Sequence, residues 1–192
     1  MRKTVLPIYL LLVLALLFSE SLQAQNNKVR LSLKAGVSQT IGVDTDITIV
    51  YSRPGVKGRK IWGDLVPYGM APGNKYSKNN PFPWRAGANE NTTIEFSKNV
   101  IVEGEKLNAG KYGVYMIPSE KEWTIIFSNK NDIWGSYLYD AENDALRINV
   151  NPQNADHQEW LQYGFEKLAG TSATAYLHWE KIKIPFNIEV SE

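Results

Sequence analysis

Residues 181–190 read Lys-Ile-Lys-Ile-Pro-Phe-Asn-Ile-Glu-Val, and the apolar side chains of this segment recur at every second position. A period of two is typical of a β-strand that buries one face in a hydrophobic core and exposes the other to water. Pro185 has no backbone N–H to donate to a neighbouring strand. We therefore expect this strand to lie at the edge of a sheet or to carry a bulge.

The same alternation continues through the rest of the chain. It predicts further strands over residues 46–53, 123–127, 145–150, 161–165 and 172–179, with a meander of short extended pieces over 100–117. No segment has the spacing of a long amphipathic helix, and residues 60–66 and 155–160 can form one or two helical turns at most. We predict a single all-β domain, an antiparallel sandwich or jelly roll of about ten short strands, with a closed barrel as the alternative.

The first 24 residues have the pattern of a cleaved signal peptide. Arg2 and Lys3 precede an apolar run over residues 5–18, and Ser-Leu-Gln-Ala follows at 21–24. The run is shorter than the ~20 residues that a membrane-spanning helix needs, and the chain has no cysteine for a lipid anchor or a disulfide. We predict a secreted or periplasmic protein with no membrane span after cleavage, in which residues 25–40 hold the first strand and 41–190 form the domain.

Charge and composition argue against several classes of function. The chain has 21 basic and 20 acidic side chains, and removing residues 1–24 leaves 19 of each, which disfavours a nucleic-acid partner. It has two histidines, no cysteine and no Gly-x-Ser-x-Gly motif, so we predict no metal site, no cofactor and no serine nucleophile. A group of acidic residues lacks the spacing of a calcium loop and is expected to form a solvated turn: Asp132, Asp140, Glu142 and Asp144.

Polar side chains stand between a turn-rich loop and a strand in residues 81–96, which read Pro-Phe-Pro-Trp-Arg-Ala-Gly-Ala-Asn-Glu-Asn-Thr-Thr-Ile-Glu-Phe. Arg85 could clamp a carboxylate or phosphate, Asn89 could supply a donor and an acceptor, and Glu90 could act as a base or accept from a sugar hydroxyl. In the alternative, Arg85 and Glu90 pair with each other across the Gly87 turn as a structural plug. The patternless loop before them, residues 68–83, is of a length that is usually functional or disordered.

A second candidate site is the basic segment that follows the strand predicted at 46–53. Residues 53–60 contain two glycines and four cations, namely Arg53, Lys57, Arg59 and Lys60. Backbone N–H groups beside cations can bind an anion, although a solvated hairpin loop explains the same pattern.

Tryptophans form a third feature of the chain. Trp123 and Trp179 are in phase with predicted strands and are expected in the core. Trp62, Trp84 and Trp134 lie in loops beside glycines. Their rings could stack on a carbohydrate, or they could cover the ends of the sandwich.

Several separated motifs, in this order, resemble a known family: residues 51–63 with 65–69, residues 84–90 with Thr-Thr-Ile at 92–94, residues 107–113, and Trp-Thr-Ile-Ile-Phe at 123–127. The chain resembles DUF2911, a family of secreted bacterial proteins common in Bacteroidetes, over about residues 41–190. The resemblance implies an all-β extracytoplasmic domain and transfers no catalytic residue. Residues 70–83 are interposed here between two motifs that nearly adjoin in the familiar form of the family, which could reshape the mouth of a site.

These observations support hypotheses from three classes. The first is a non-catalytic binding module for a small anionic or carbohydrate ligand or an envelope partner, using Arg85, Asn89, Glu90 and neighbouring residues: Trp84, Arg53, Lys57, Arg59 and Trp62. The second is a hydrolase or lyase acting on a glycan or ester, with Glu90 as general acid or base. The third is a purely structural envelope protein. The sequence leaves the oligomeric state open.

Overall fold

The computed structural model describes residues 29–191, and the compact unit treated below begins at Ser32. The signal peptide expected over residues 1–24 lies outside the described residues. Within them the chain forms ten strands and two short 3₁₀ turns, Lys75–Ser77 and Ala141–Asn143. The strands are β1 (Leu33–Ile41), β2 (Thr45–Arg53), β3 (Thr92–Phe96), β4 (Val100–Val102), β5 (Glu105–Leu107), β6 (Gly110–Ile117), β7 (Trp123–Ser128), β8 (Asp144–Val150), β9 (Gln153–Ala169) and β10 (Ser172–Val190).

The strands form two antiparallel sheets. One has six strands in the order β1-β2-β3-β6-β7-β8, and the other has four in the order β5-β4-β10-β9. One hydrophobic core takes buried side chains from both sheets, such as Ile49 and Phe127 from the first and Leu177 and Phe186 from the second. The predicted all-β sandwich is confirmed, and the sheets do not close into the alternative barrel.

The hairpin of β9 and β10 is much longer than the sequence pattern predicts. The separate strands expected at 172–179 and 181–190 are one strand, because irregularities in the register around Glu180 let the pairing with β9 continue. Glu180 itself has a backbone φ of +56°. Residues 155–160, a candidate for one or two helical turns, are instead part of β9.

Of the two alternatives expected for the strand with Pro185, the edge position is wrong, whereas register irregularities are present, one of them between Glu180 and Ile182. Its strand, β10, lies between β4 and β9. The pairing with β9 extends along β10 as far as Lys183, and the pairing with β4 covers residues 188–190. Pro185 falls between these two ladders, where a missing N–H removes no ladder hydrogen bond.

Residues 60–83 are ordered, although they contain no long element. Residues 60–66, a candidate helical turn, form instead a tight turn in which Val66 N donates to Ile61 O over 2.9 Å and Gly63 N donates to Val66 O over 2.9 Å. Ala71 and Phe82 pair through hydrogen bonds of 2.8 and 3.1 Å and close a loop that contains the first 3₁₀ turn. Among residues 29–191 there is no helix long and apolar enough to cross a bilayer.

Candidate functional site

The junction between the loop and β3 is fixed to both sheets. Trp84 pairs with Met116 of β6 through two hydrogen bonds of 2.9 Å. The carbonyl of Ala86 accepts hydrogen bonds from the Tyr163 hydroxyl of β9 at 2.9 Å and from Thr92 Oγ1 of β3 at 3.1 Å. Burial raises the pKa of Tyr163 well above its usual value, so this hydroxyl stays a donor. The backbone on either side of Arg85 therefore has little freedom to move.

Arg85 is half-buried and makes two contacts through its guanidinium. Its Nη1 donates to the carbonyl of Asn89 over 3.0 Å, and its Cζ lies 4.9 Å from the centroid of the Tyr137 ring. A side chain on Gly135 would place its Cβ 2.5 Å from the same Cζ, so the Gly135 backbone lies directly against the guanidinium. Nothing else within residues 29–191 accepts a hydrogen bond from Arg85, and no described carboxylate lies within ion-pair distance of it.

The side chains of Asn89 and Glu90 bond to groups other than the Arg85 guanidinium, which contacts Asn89 through its backbone carbonyl. Asn89 Nδ2 donates to the carbonyl of Ser32 over 3.3 Å, and Glu90 Oε2 accepts from Ser52 Oγ of β2 at 3.2 Å. The described residues contain no ion pair between Arg85 and Glu90, so the structural plug considered from the sequence is not formed as a direct pair. The three residues lie at one junction, and Arg85 and Asn89 are joined there by the hydrogen bond to the Asn89 carbonyl.

A cluster of aromatic rings adjoins Arg85. The Tyr137 ring contacts Phe82 at a centroid separation of 5.0 Å and Tyr76 at 5.6 Å. Lys75 Nζ lies 5.0 Å from the centroid of the Tyr76 ring. We call Lys75, Tyr76, Phe82, Arg85 and Tyr137 the Arg85 cluster. Tyr76 is 62 % exposed, and Trp134, which precedes Gly135, is 61 % exposed.

The sequence did not predict site roles for Tyr76 and Phe82. Both lie in residues 70–83, the segment that separates two motifs which nearly adjoin in the familiar form of the family. This additional segment was the one feature of the sequence that could have indicated a role for them. The structure shows that the segment folds against Tyr137, a residue from the loop after β7. The loop therefore contributes directly to the surroundings of Arg85.

Two of the predicted ligand-binding tryptophans pack against the core. The Trp62 ring lies 5.0 Å from Trp123 and 5.7 Å from Trp179, and Trp84 stacks on Trp179 at 6.0 Å with 14° between the ring planes. Trp123 and Trp179 are buried, as predicted. The rings of Trp62 and Trp84 thus contact other indoles. Of the three loop tryptophans, Trp134 is the exposed one.

Side chains of the basic segment bond partly to β9 and partly to the segment's own backbone. Arg53 Nε donates to Leu161 O over 2.9 Å, and Arg59 donates to Val56 O at 3.1 Å and to Gly55 O at 2.5 Å. Lys57 Nζ lies 5.5 Å from the ring of Trp160. Lys60 is exposed.

A backbone N–H in this segment does bind an anion, which is the chain's own Glu159. Lys57 N donates to Glu159 Oε1 over 2.9 Å, and Lys57 has a φ of +49° next to Gly58 at +67°. This hydrogen bond, together with His157 Nε2 at 3.3 Å from Oε2, lowers the pKa of Glu159. At the Lys57 N–H, a side chain of β9 therefore takes the place of the external anion that was one interpretation of the sequence.

Part of the expected solvated acidic turn is buried, so that expectation is wrong for Asp144, whose side chain is 10 % exposed. Asp144 Oδ2 accepts from the Tyr139 hydroxyl and from Arg147 Nε, each at 2.7 Å. Burial and the hydrogen bond to Asp144 raise the pKa of Tyr139. Asp140 caps the second 3₁₀ turn by accepting from Glu142 N. In residues 29–191 no three His, Cys, Asp or Glu side chains are grouped as metal ligands.

Among known proteins, the chain is similar to one family. No curated protein and no solved structure matches this chain. A family model described as a protein of unknown function, DUF2911, matches residues 32–188. The match begins before residue 41, where the resemblance was expected to start, and it includes β1. Because it covers most of the chain and nearly all of the two sheets, the protein belongs to the DUF2911 family.

Proposed function

We propose that this protein is a non-catalytic binding module that holds a small anionic ligand at the Arg85 cluster. The observation that carries the proposal is a half-buried guanidinium whose protein partners are one carbonyl and one aromatic ring. Partial burial of a cation without a carboxylate is unfavourable, because the protein must replace the hydration that the charge loses. An anionic ligand would supply the missing charge.

The geometry of the cluster supports recognition of a carboxylate or phosphate. Arginine carries five N–H donors in a planar fork, and Arg85 uses one of them within the described residues. The contacts with Tyr137 and the Gly135 backbone hold the plane of the fork. A site that is held in place before the ligand arrives loses less conformational entropy on binding.

Binding rather than a reaction follows from the chemistry of the group. The guanidinium of Arg85 offers a delocalised charge and hydrogen-bond donors, which suit the binding of an anion. Glu90, the acid or base of the alternative hypothesis, is hydrogen-bonded to Ser52 of β2 and not to Arg85. We further propose that the module works outside the cytoplasm, on the basis of the signal-like pattern of residues 1–24.

Isothermal titration against small carboxylates, phosphates and matched neutral molecules tests this function. We expect an anion to bind the wild type, binding to weaken at least about tenfold in Arg85→Gln, and Arg85→Lys to restore only part of the affinity because it keeps the charge and loses the fork. Arg59→Gln is the matched control, since Arg59 is already satisfied by the carbonyls of Gly55 and Val56. Equal binding by wild type and Arg85→Gln, or loss of binding in Arg59→Gln alone, would contradict the proposed site.

A further inference from the structure

We infer that the ligand of the Arg85 cluster is an acidic oligosaccharide, in which one sugar carboxylate pairs with Arg85 and a neighbouring sugar ring stacks on Tyr76. This inference rests on the proposed anion site at Arg85 and adds the class of ligand. It is carried by the arrangement of the exposed Tyr76 ring and the half-buried Tyr137 ring between two cations, which a site for a bare inorganic anion does not need.

Consecutive contacts join four side chains of the cluster into a row, in the sense of a series of neighbours, with a cation at each end. Lys75 Nζ lies 5.0 Å from the Tyr76 ring, Tyr76 lies 5.6 Å from Tyr137, and Tyr137 lies 4.9 Å from the Arg85 guanidinium. Each of these separations is comparable with the length of one pyranose residue. A chain of two or three sugars can therefore reach from one cation to the other.

Tyr76 offers the open ring of this row. Its side chain is 62 % exposed, whereas Tyr137 is half-buried and is covered by Phe82, Tyr76 and Arg85. Exposed tyrosine rings are costly to leave in water and combine an apolar face with a polar hydroxyl. The apolar C–H face of a pyranose complements such a ring.

Hydrogen bonds hold the backbone that carries Tyr76. Asn74 Oδ1 accepts from Tyr76 N at 2.8 Å and from Ser77 N at 3.2 Å, and Asn74 N donates to Ser77 Oγ over 2.9 Å. This reciprocal capping box holds the first 3₁₀ turn in place. The pairing of Ala71 with Phe82 closes the loop at its base. An exposed ring on a fixed backbone is suited to binding, because little ordering is required when the ligand arrives.

The positive charges of the cluster favour an acidic sugar over a neutral one. Both charged groups of the cluster are cations, and the Lys75 ammonium lies over the ring on which a sugar would stack. A stacking sugar would take the place of this ammonium, whose charge then becomes available to a second carboxylate. Neutral sugars would displace the lysine without this compensation, so we expect uronate-containing chains to bind more tightly.

Titration of the purified protein with a uronic-acid trisaccharide tests the inference. The comparison probes are the uronate monomer, the neutral trisaccharide of the same linkage, and an acidic tripeptide. We expect the acidic trisaccharide to bind at least about tenfold more tightly than the monomer, and Tyr76→Ala to remove most of that advantage while changing monomer affinity little. Tyr76→Phe should retain the advantage because it keeps the ring, and Tyr68→Ala, an exposed tyrosine outside the cluster, should behave as wild type.

The outcomes separate this inference from the proposed function. If anions bind through Arg85 but the acidic trisaccharide binds no better than its monomer and Tyr76→Ala has no effect, the anion site stands and the oligosaccharide inference is wrong. Tighter binding of the acidic tripeptide than of the trisaccharide would also overturn the inference. If no carboxylate or phosphate binds at all, the proposed function fails and the inference fails with it.

Discussion

At the scale of single residues, the candidate site depends on two neighbours that come from distant parts of the chain. Arg85 lies at the end of a loop, and Gly135 and Tyr137 follow β7. The glycine allows the backbone to approach the guanidinium, and the tyrosine supplies a ring face for it. The polar junction at Arg85 could be predicted from its sequence neighbours, but these contacts could not, because no local pattern records which loops meet.

Gly135→Ala should weaken anion binding without removing any charge. The new Cβ would lie 2.5 Å from Arg85 Cζ, and the residue has a φ of +66°, which an alanine adopts only with strain. We expect a loss of about 1–2 kcal/mol in unfolding free energy and at least about tenfold in anion affinity, because the guanidinium must shift. Chemical denaturation and titration measure the two effects.

Gly104→Ala is the control for this substitution. Gly104 also has a positive φ, at +85°, but a Cβ there meets no atom within 4 Å. It should show a comparable loss of stability with unchanged anion affinity. Equal affinities in the two variants would show that the Gly135 contact does not position Arg85.

At the scale of elements, β9 shows both what the sequence could predict and what it could not. The alternation of residues 161–165 predicts a strand, whereas residues 155–160 are mostly polar and lack such a pattern. This part is extended because it pairs with β10 and because Val56 N of the basic segment donates to the carbonyl of Glu159. Strand formation is governed by such tertiary context more than by intrinsic propensity. In β2, where one face is buried throughout, the alternation sufficed.

Glu159→Gln should remove an acid-dependent link between the basic segment and β9. The Lys57 N–H lowers the pKa of Glu159 in the folded protein. A lowered pKa stabilises the fold above the unfolded-state value of about 4.3 and loses this contribution as pH falls through the folded-state value. We expect the difference in stability between wild type and Glu159→Gln to shrink as pH falls from 6 to about 3.

Amide exchange at Lys57, followed with pH, measures this link directly. Protection should fall on acidification in the wild type and should already be low at pH 6 in Glu159→Gln. Glu105→Gln, a substitution at an exposed position in β5, should follow the wild type. Lys57 protection that is independent of pH in the wild type would contradict the assignment.

At the scale of the whole molecule, the two sheets and the tryptophan cluster form a rigid support for the loops that carry Arg85. Trp62 and Trp84 extend the core toward the loop end through their contacts with Trp123 and Trp179. The buried positions of Trp123 and Trp179 could be predicted, since they follow the strand period. The contacts of Trp62 and Trp84 with the core depend on how their loops fold against the sheets. The periodicity of the sequence carries no information about this.

Trp179→Ala and Trp134→Ala should differ sharply in stability. Trp179 is 1 % exposed and contacts two other indoles, so its removal leaves a large cavity. We expect a loss of about 3–5 kcal/mol for Trp179→Ala and a change within about 0.5 kcal/mol for the exposed Trp134. Denaturant titration measures both, and similar losses in the two variants would contradict the division between core and surface tryptophans.

The central claim is that Arg85 recognises an anion, and the most direct test observes its guanidinium. Arginine Nε–H resonances can be recorded by NMR, and the signal of Arg85 is assigned as the one missing from the spectrum of Arg85→Lys. During titration with a uronic acid, we expect this signal to shift with a saturable dependence on concentration, while the matched neutral sugar leaves it unchanged. An Arg85 signal that stays in place when the acid is bound elsewhere, or that never responds to any anion, would contradict the claim.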